Sequence, residues 1–295
     1  MMSNPLITEL QTVRDFIRYG GAEMHKANLV YGHGTDNPYD ESFFIVCEIA
    51  HLPFERAADF YDAKLTSDER EKILSLITAR IQKRIPAAYL LNKAYMHGYG
   101  FYVDERVIIP RSYLGEYLAS SDLTAFIPAP ESITHMLDLC TGSGCLAIMA
   151  ADAFPHAQID AVDLSADALL VAKRNVDDYN LNDRITLIQS DLFSALKHKK
   201  YDFIISNPPY VTADAVEHFP PEYQQEPKMA HLGGADGMDL VRRILKESPA
   251  HLKTGGSLMC ELGFGQDIIN EEFTNLNLTW LSSEKSYGEI FWYQP

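Results

Sequence analysis

From position 4 to about 92, apolar residues recur at intervals of three and four: Leu10, Val13, Phe16 and Ile17, then Ile73, Leu76, Ile77 and Ile81 ahead of Pro86. That spacing places them on one face of a helix. The stretch therefore reads as helical, with 32–38 as a loop, 42–52 as a further amphipathic helix, and no strand pattern of its own. Over 98–110 the rhythm shortens. Phe101, Val103, Val107 and Ile109 alternate with polar neighbours, and Asp104-Glu105 stands where a turn would fall. Alternation of this kind predicts a β-hairpin, here one that joins two domains.

After Ser132, short apolar runs alternate with helical stretches, the pattern of a parallel sheet wrapped by crossover helices. Strands are expected at 135–140, 158–163, 185–189, 203–206 and 257–262, with 278–281 and 290–293 completing the sheet. Helices are expected at 146–153, 166–179 and 240–252. No internal repeat or low-complexity segment is visible. At 295 residues the chain has room for one α/β core and a smaller accessory unit.

Charge narrows the choice of partner. The sequence holds 25 Lys and Arg against 41 Asp and Glu, a formal charge of −16. Such a field repels nucleic-acid phosphates and attracts a basic partner, although acidity also serves solubility alone. Lys197-His198-Lys199-Lys200 is the single basic cluster, short enough to be a solvated loop. The four cysteines, Cys47, Cys140, Cys145 and Cys260, form no CxxC pair, which argues against a zinc site or a disulfide framework; no metal is expected. The first residues lack the basic-then-apolar run of a signal peptide, and no stretch approaches the ~18–20 apolar residues of a membrane span. A cytoplasmic location is the expectation.

Met136-Leu137-Asp138-Leu139-Cys140-Thr141-Gly142-Ser143-Gly144-Cys145-Leu146 reads as a strand, a glycine-bearing turn and a helix start. Glycines there let the backbone approach a ligand closely. A dinucleotide site looks similar, and so does a tight structural turn. The next strand ends in Asp163, followed by Leu164, where a carboxylate can accept from both ribose hydroxyls of an adenosine. The strand after it leads to Ser190-Asp191-Leu192-Phe193, where Asp191 can accept from an adenine amino group and Leu192 or Phe193 can cover the ring. A lone strand-end Asp is usually a cap; the series at successive strand ends carries the reading. Ala147 stands where a dinucleotide fingerprint has its third glycine, and Asp138 precedes the turn where it can meet a cationic ligand end. Both features favour S-adenosylmethionine over a nicotinamide cofactor.

The tetrapeptide Asn207-Pro208-Pro209-Tyr210 follows the fourth strand directly. Two prolines fix φ and remove two backbone donors, so an Asn carboxamide oxygen and the Pro208 carbonyl make two acceptors in a fixed geometry. That pair suits a planar NH2 group, holding its plane and aiming the nitrogen face at a methyl carbon. Tyr210 would stack on the planar group and exclude water. Asn207 thus belongs to both the cofactor and the acceptor side. The same tetrapeptide serves adenine-methylating and glutamine-methylating enzymes, so it does not choose between them.

Other segments do. At Ala87-Ala88-Tyr89-Leu90-Leu91-Asn92-Lys93-Ala94-Tyr95, at Phe101 to Ser112 with its Ile109-Pro110-Arg111-Ser112 end, at Glu226-Pro227 and at Gly233-Gly234-Ala235-Asp236-Gly237-Met238-Asp239, the chain resembles the bacterial protein N(5)-glutamine methyltransferase family over nearly its whole length. It looks most like the branch that acts on large-subunit ribosomal protein L-three: release-factor relatives carry Pro-Arg-Pro-Asp-Thr-Glu where this sequence has Pro110-Arg111-Ser112-Tyr113-Leu114-Gly115-Glu116, and Cys140 replaces the usual glycine. Gln225 departs from the expected His. The resemblance implies a Rossmann-like class I methyltransferase sheet of seven strands, the last antiparallel, with residues 1–95 as a helical substrate-recognition domain, 96–115 as a hairpin linker and 116–295 as the methyltransferase domain. It implies S-adenosylmethionine as cofactor, contacted by Cys140 to Gly144 and Asp163 with Leu192 near the adenine, and a basic ribosomal protein as acceptor, with Arg111 and Glu116 bordering its channel or forming a structural ion pair. The rivals are an N(6)-adenine nucleic-acid methyltransferase and a glutamine methyltransferase for release factors.

Overall fold

The computed structural model describes residues 5–282 and 286–295. Two compact units emerge, one of Met1–Lys93 with Pro220–Gln225 and one of Ala94–Phe219 with Glu226–Pro295.

The first unit is helical. Its longer helices, Val13–Lys26, Pro38–Ile49 and Ser67–Lys83, begin at Thr12, Asn37 and Thr66, whose side chains accept from backbone N–H groups of the first turn; such caps satisfy donors that a helix start leaves open. Phe16, Met24, Ile45, Ile73 and Ile77 are buried at its centre. One cation shares that interior. Arg80 is 0% exposed and meets Glu41 at 2.8 Å and Glu222 at 3.4 Å, while Arg84 meets Glu222 at 2.9 Å. Val30 N–H donates to Glu222 and the Val30 carbonyl accepts from Arg80. A buried guanidinium is tolerable only with such partners, and this is why a short segment from late in the sequence belongs with the helices. The continuous partition at 95 and 115 did not provide for that excursion.

The second unit opens with a hairpin, β1 (Ala94–Met96) against β2 (Tyr99–Phe101), which turns at His97-Gly98. It lies upstream of the hairpin expected over 98–110. Val103, Val107 and Ile109 are all buried, as their alternation implies, but the described strands do not include their segment. The Asn175 carboxamide instead accepts from Tyr102 N–H at 2.8 Å and donates to its carbonyl at 3.0 Å, a side chain standing in for a neighbouring strand.

The sheet comprises β3 (His135–Leu139), β4 (Gln158–Asp163), β5 (Ile185–Gln189), β6 (Tyr201–Ser206), β7 (Leu252–Glu261), β8 (Leu278–Ser282) and β9 (Tyr287–Tyr293) in the order β5-β4-β3-β6-β7-β9-β8. β3 to β7 are parallel, and β9 runs antiparallel to both its neighbours. Both faces of the sheet are covered, so its strands are nearly continuous in apolar residues. Met136, Phe203 and Trp292 pack on one side with the helix Cys145–Ala153, and Leu137, Ile204 and Phe291 pack on the other with the helix Asp239–His251. This is the seven-stranded fold with a final antiparallel strand that the resemblance implied. Among the described residues no helix is long and apolar enough to cross a membrane.

Candidate active site

The chain starts in the middle of the sheet at β3, builds outward through β4 and β5, and then crosses to the other side of β3 to lay down β6. Open α/β sheets bind ligands beyond the carboxyl ends of their strands where the order reverses in this way. Leu139 and Ser206 are register partners, and Ser206 Oγ donates to the Leu139 carbonyl at 2.9 Å. The glycine turn that begins at Cys140 and the tetrapeptide that begins at Asn207 therefore leave the sheet side by side.

A solvent-open cleft of about 740 Å3 lies there. Of the residues expected to hold a cofactor, Cys140, Gly142, Asp163, Leu164, Asp191, Leu192 and Asn207 line it. Cys140 has φ +61° and Gly142 φ +55°. The left-handed conformation at Cys140 is one that glycine adopts without cost and other L-residues rarely take. Asp163 accepts from Gly142 N–H and Ser165 N–H, each at 2.9 Å, so one carboxylate ties the glycine turn to the start of the next helix while lying on the cleft wall. Burial pushes its carboxyl up, against the pull of those N–H groups. Asp191 accepts from Arg243 Nη1 at 2.8 Å, and the Leu192 carbonyl accepts from Ser190 Oγ at 2.8 Å.

Asp138, Thr141, Ser143 and Gly144 are not on the wall; they shape it from behind. Thr141 Oγ1 donates to Asp138 at 2.6 Å, and burial pushes the Asp138 carboxyl up to about 7 with Thr141 opposing. The Ser143 carbonyl accepts from Asn175 Nδ2 at 2.8 Å, and a Cβ on Gly144 would stand 3.3 Å from the Ala172 Cβ. The cleft is closed by Arg106, Val107 and Ile108 from the linker and by Met229 and Leu240 from beyond the acceptor loop. No local motif marks these five, since their role depends on a fold that brings distant segments together.

The tetrapeptide stands between this cleft and a second one. Asn207 and Pro209 line the first, while Tyr210 lines a cavity of about 330 Å3 together with Arg111, Ser112, Tyr113 and Glu261. Pro208 is buried. Asn207 Nδ2 makes a long hydrogen bond, 3.4 Å, to the Arg111 carbonyl, which leaves Oδ1 to face elsewhere. Glu261, at the end of β7, accepts from Tyr210 Oη at 2.9 Å, Ser112 Oγ at 2.6 Å and Tyr113 N–H at 3.0 Å. Burial pushes its carboxyl up to about 6, with the Ser112 and Tyr210 hydroxyls opposing; burial and the adjacent carboxylate hold the Tyr210 phenol well above its ordinary value. Tyr210 thus stays a donor. Arg111 grips Glu226 through two bonds of 2.7 and 2.6 Å, and Ile109 N–H donates to the same carboxylate at 2.9 Å. Glu116 sits on the helix Leu114–Ala119 and lines neither cavity. Glu261 and Ser112 carried no assignment from sequence, because a strand-end Glu resembles any other until the fold places it under Tyr210.

A glycine turn, a strand-end carboxylate and a proline-braced tetrapeptide on adjacent parallel strands define a methyltransferase. The chain matches the family model "Methyltransferase small domain" over residues 119–219. It is 49% identical over 289 residues to a ribosomal protein uL3 glutamine methyltransferase of Bradyrhizobium diazoefficiens, covering 96% of this chain and 91% of that protein. A protein of the same name from Burkholderia pseudomallei is 47% identical, covering 96% and 94%. This chain belongs to the ribosomal protein uL3 glutamine methyltransferase family. Among solved structures, the human METTL16 catalytic domain in complex with an RNA hairpin superposes with a TM-score of 0.50 at 17% identity, covering 76% of this chain and 79% of that one, which establishes the shared fold.

Proposed function

We propose that this enzyme transfers the methyl group of S-adenosylmethionine to the side-chain amide nitrogen of a glutamine in large-subunit ribosomal protein uL3. The observation that carries the reading is the position of Asn207-Pro208-Pro209-Tyr210 as a partition between the cleft that Asp163 and Leu192 line and a second cavity that Glu261 lines.

The residues present fit the cofactor. Gly142 offers no Cβ where a ligand must approach, Asp163 keeps lone pairs free after its two backbone bonds, and Leu164, Leu192 and Leu240 offer apolar walls for a flat base. When bound, the cofactor supplies an electrophilic methyl on a sulfonium. The chain's own groups orient the acceptor. Asn207 Oδ1 and the Pro208 carbonyl accept the two hydrogens of the amide NH2, which fixes its plane. Tyr210, held by Glu261, covers the other side and excludes water. An amide nitrogen is a poor nucleophile, and two acceptors that strengthen as it becomes positive stabilise the transition state more than the ground state. The cofactor would supply the methyl carbon to the nitrogen electron pair and keep the electrons of the bond it gives up, while Asn207 Oδ1 and the Pro208 carbonyl would hold the two amide N–H groups as the nitrogen loses one proton. Fixing the reactants in this way can supply up to ~7–11 kcal/mol of the barrier. A ribosomal-protein acceptor supports a cytoplasmic location, and a basic acceptor complements the charge of −16.

Incubation of the purified chain with methyl-labelled cofactor and either uL3 or DNA tests this. Label on a single glutamine of uL3, located by peptide mass spectrometry, is expected; label on DNA adenine with none on uL3 would refute it.

A further inference from the structure

The described second unit exposes few large apolar side chains, and two of them flank Tyr210. Phe264 is 96% exposed and Leu232 44% exposed. Each stands next to a glycine that packs on Tyr210. Gly263, next to Phe264, lies so close to Tyr210 that a Cβ there would be 2.9 Å from the ring; Gly233, next to Leu232, would place a Cβ 2.7 Å from the Tyr210 Cα. The backbones are fixed as well. Gly233 N–H donates to the Val211 carbonyl at 2.8 Å, Leu232 bridges to Val211, and Leu262 N–H donates to the Glu289 carbonyl at 2.9 Å. Holding a phenylalanine almost wholly in water forgoes the ~1.5–3 kcal/mol that burying it would contribute, and the exposed pair brackets the residue that meets the acceptor.

We propose that Leu232 and Phe264 form an apolar jaw that grips the acceptor polypeptide on either side of the modified glutamine. The inference rests on the reading that the acceptor is a protein-borne amide. An amide held at Asn207 and Tyr210 brings the main chain that carries it to the face where Gly233 and Gly263 meet Tyr210, beside Leu232 and Phe264. Charge argues for a basic occupant: residues 94–295 hold 28 of the 41 acidic and only 14 of the 25 basic residues. Asp214, four residues beyond Tyr210, is 90% exposed. A basic segment that also presents aliphatic groups to Phe264 and Leu232 satisfies both features.

The test uses the full chain and uL3 as acceptor, comparing wild type with Phe264→Ser, Leu232→Ser and the double variant. Because Phe264 faces water and Leu232 is half-buried, melting temperature is expected to match wild type for Phe264→Ser and to fall by a few degrees for Leu232→Ser, with cofactor affinity unchanged in both. KM for uL3 is expected to rise about tenfold in the double variant, with kcat within twofold. A KM within twofold of wild type, or a fall in kcat at unchanged KM, overturns the jaw while leaving the wild-type activity and the proposed function intact. A wild type that leaves uL3 unmodified overturns the function, and the jaw with it. Loss of a wild-type dimer, or of binding to anionic lipid vesicles, on substitution at an unchanged KM assigns the face to a second copy or to a membrane and also overturns it.

Discussion

Asn207 and Tyr210 owe their orientation to groups far away in sequence. The Asn207 amide is turned by the carbonyl of Arg111, and the Tyr210 hydroxyl by the carboxylate of Glu261. In the proposed reading, truncating Asn207 removes one of the two acceptors for the amide hydrogens but none of the apolar side chains that line the cleft. Asn207→Ala is therefore expected to lower kcat by about 10²–10³-fold, with cofactor affinity by calorimetry within a few-fold of wild type; lost cofactor binding would show the residue's role to be different. Glu261 titrates within the working range, with a carboxyl raised to about 6. Two effects of opposite sign follow. Above its unfolded value the folded protein holds this proton more tightly than the unfolded chain does, so stability falls by about 2 kcal/mol as pH rises from ~4.5 to ~6. Activity runs the other way: protonation weakens an acceptor that holds Tyr210, Ser112 and the Tyr113 N–H, so kcat is expected to drop below pH 6. Glu261→Gln should lower kcat and flatten that limb. An acid limb that survives the substitution unchanged belongs to another group, Asp138 at about 7 being the obvious one.

Among the elements, the linker after β2 and the segment after the acceptor loop are locked by one carboxylate. Glu226, with its side chain 0% exposed, accepts two bonds from Arg111 and one from Ile109 N–H. Removing one member of a buried pair costs about 3–5 kcal/mol, whereas replacing both by apolar groups is often neutral. Glu226→Ala should accordingly lower the melting temperature by roughly 10 °C and reduce kcat through Asn207. The double variant Arg111→Met, Glu226→Leu should recover most of the melting temperature without recovering activity, as measured by thermal denaturation and steady-state rates. A double variant as unstable as the single one would show that the charges themselves hold the two segments. This carboxylate also marks where the sequence stops being readable. β4 and β5 lie where their apolar residues predict, because a short apolar run bounded by polar residues carries its signal locally. The Arg111–Glu226, Arg80–Glu222 and Tyr210–Glu261 pairings join residues 115, 142 and 51 positions apart, and nothing in a local pattern announces them. The displaced hairpin is of the same kind: Val103, Val107 and Ile109 alternate because they are buried, while the Tyr102 backbone bonds a remote Asn175 that no local pattern announces.

At the scale of the molecule, the excess of acid is unevenly placed. Up to Lys93 the acidic and basic residues nearly balance, at 13 and 11, so most of the charge of −16 belongs to the remainder that carries the active site. A field of that sign speeds encounter with a basic protein and weakens as salt screens it; the Debye length falls from ~10 Å at ~0.1 M to ~3 Å at ~1 M ionic strength. The chemistry itself should be insensitive, because Asn207, Tyr210 and Glu261 are partly or wholly buried. KM for uL3 is thus expected to rise roughly tenfold between ~0.05 and ~0.5 M salt with kcat nearly constant. Cofactor KM should move little over the same range, which separates screening of the protein partner from a general loss of activity. A uL3 KM that stays flat would leave acceptor capture to short-range contacts such as Leu232 and Phe264. In that case the variants that remove those side chains should account for nearly all of the affinity at every salt concentration.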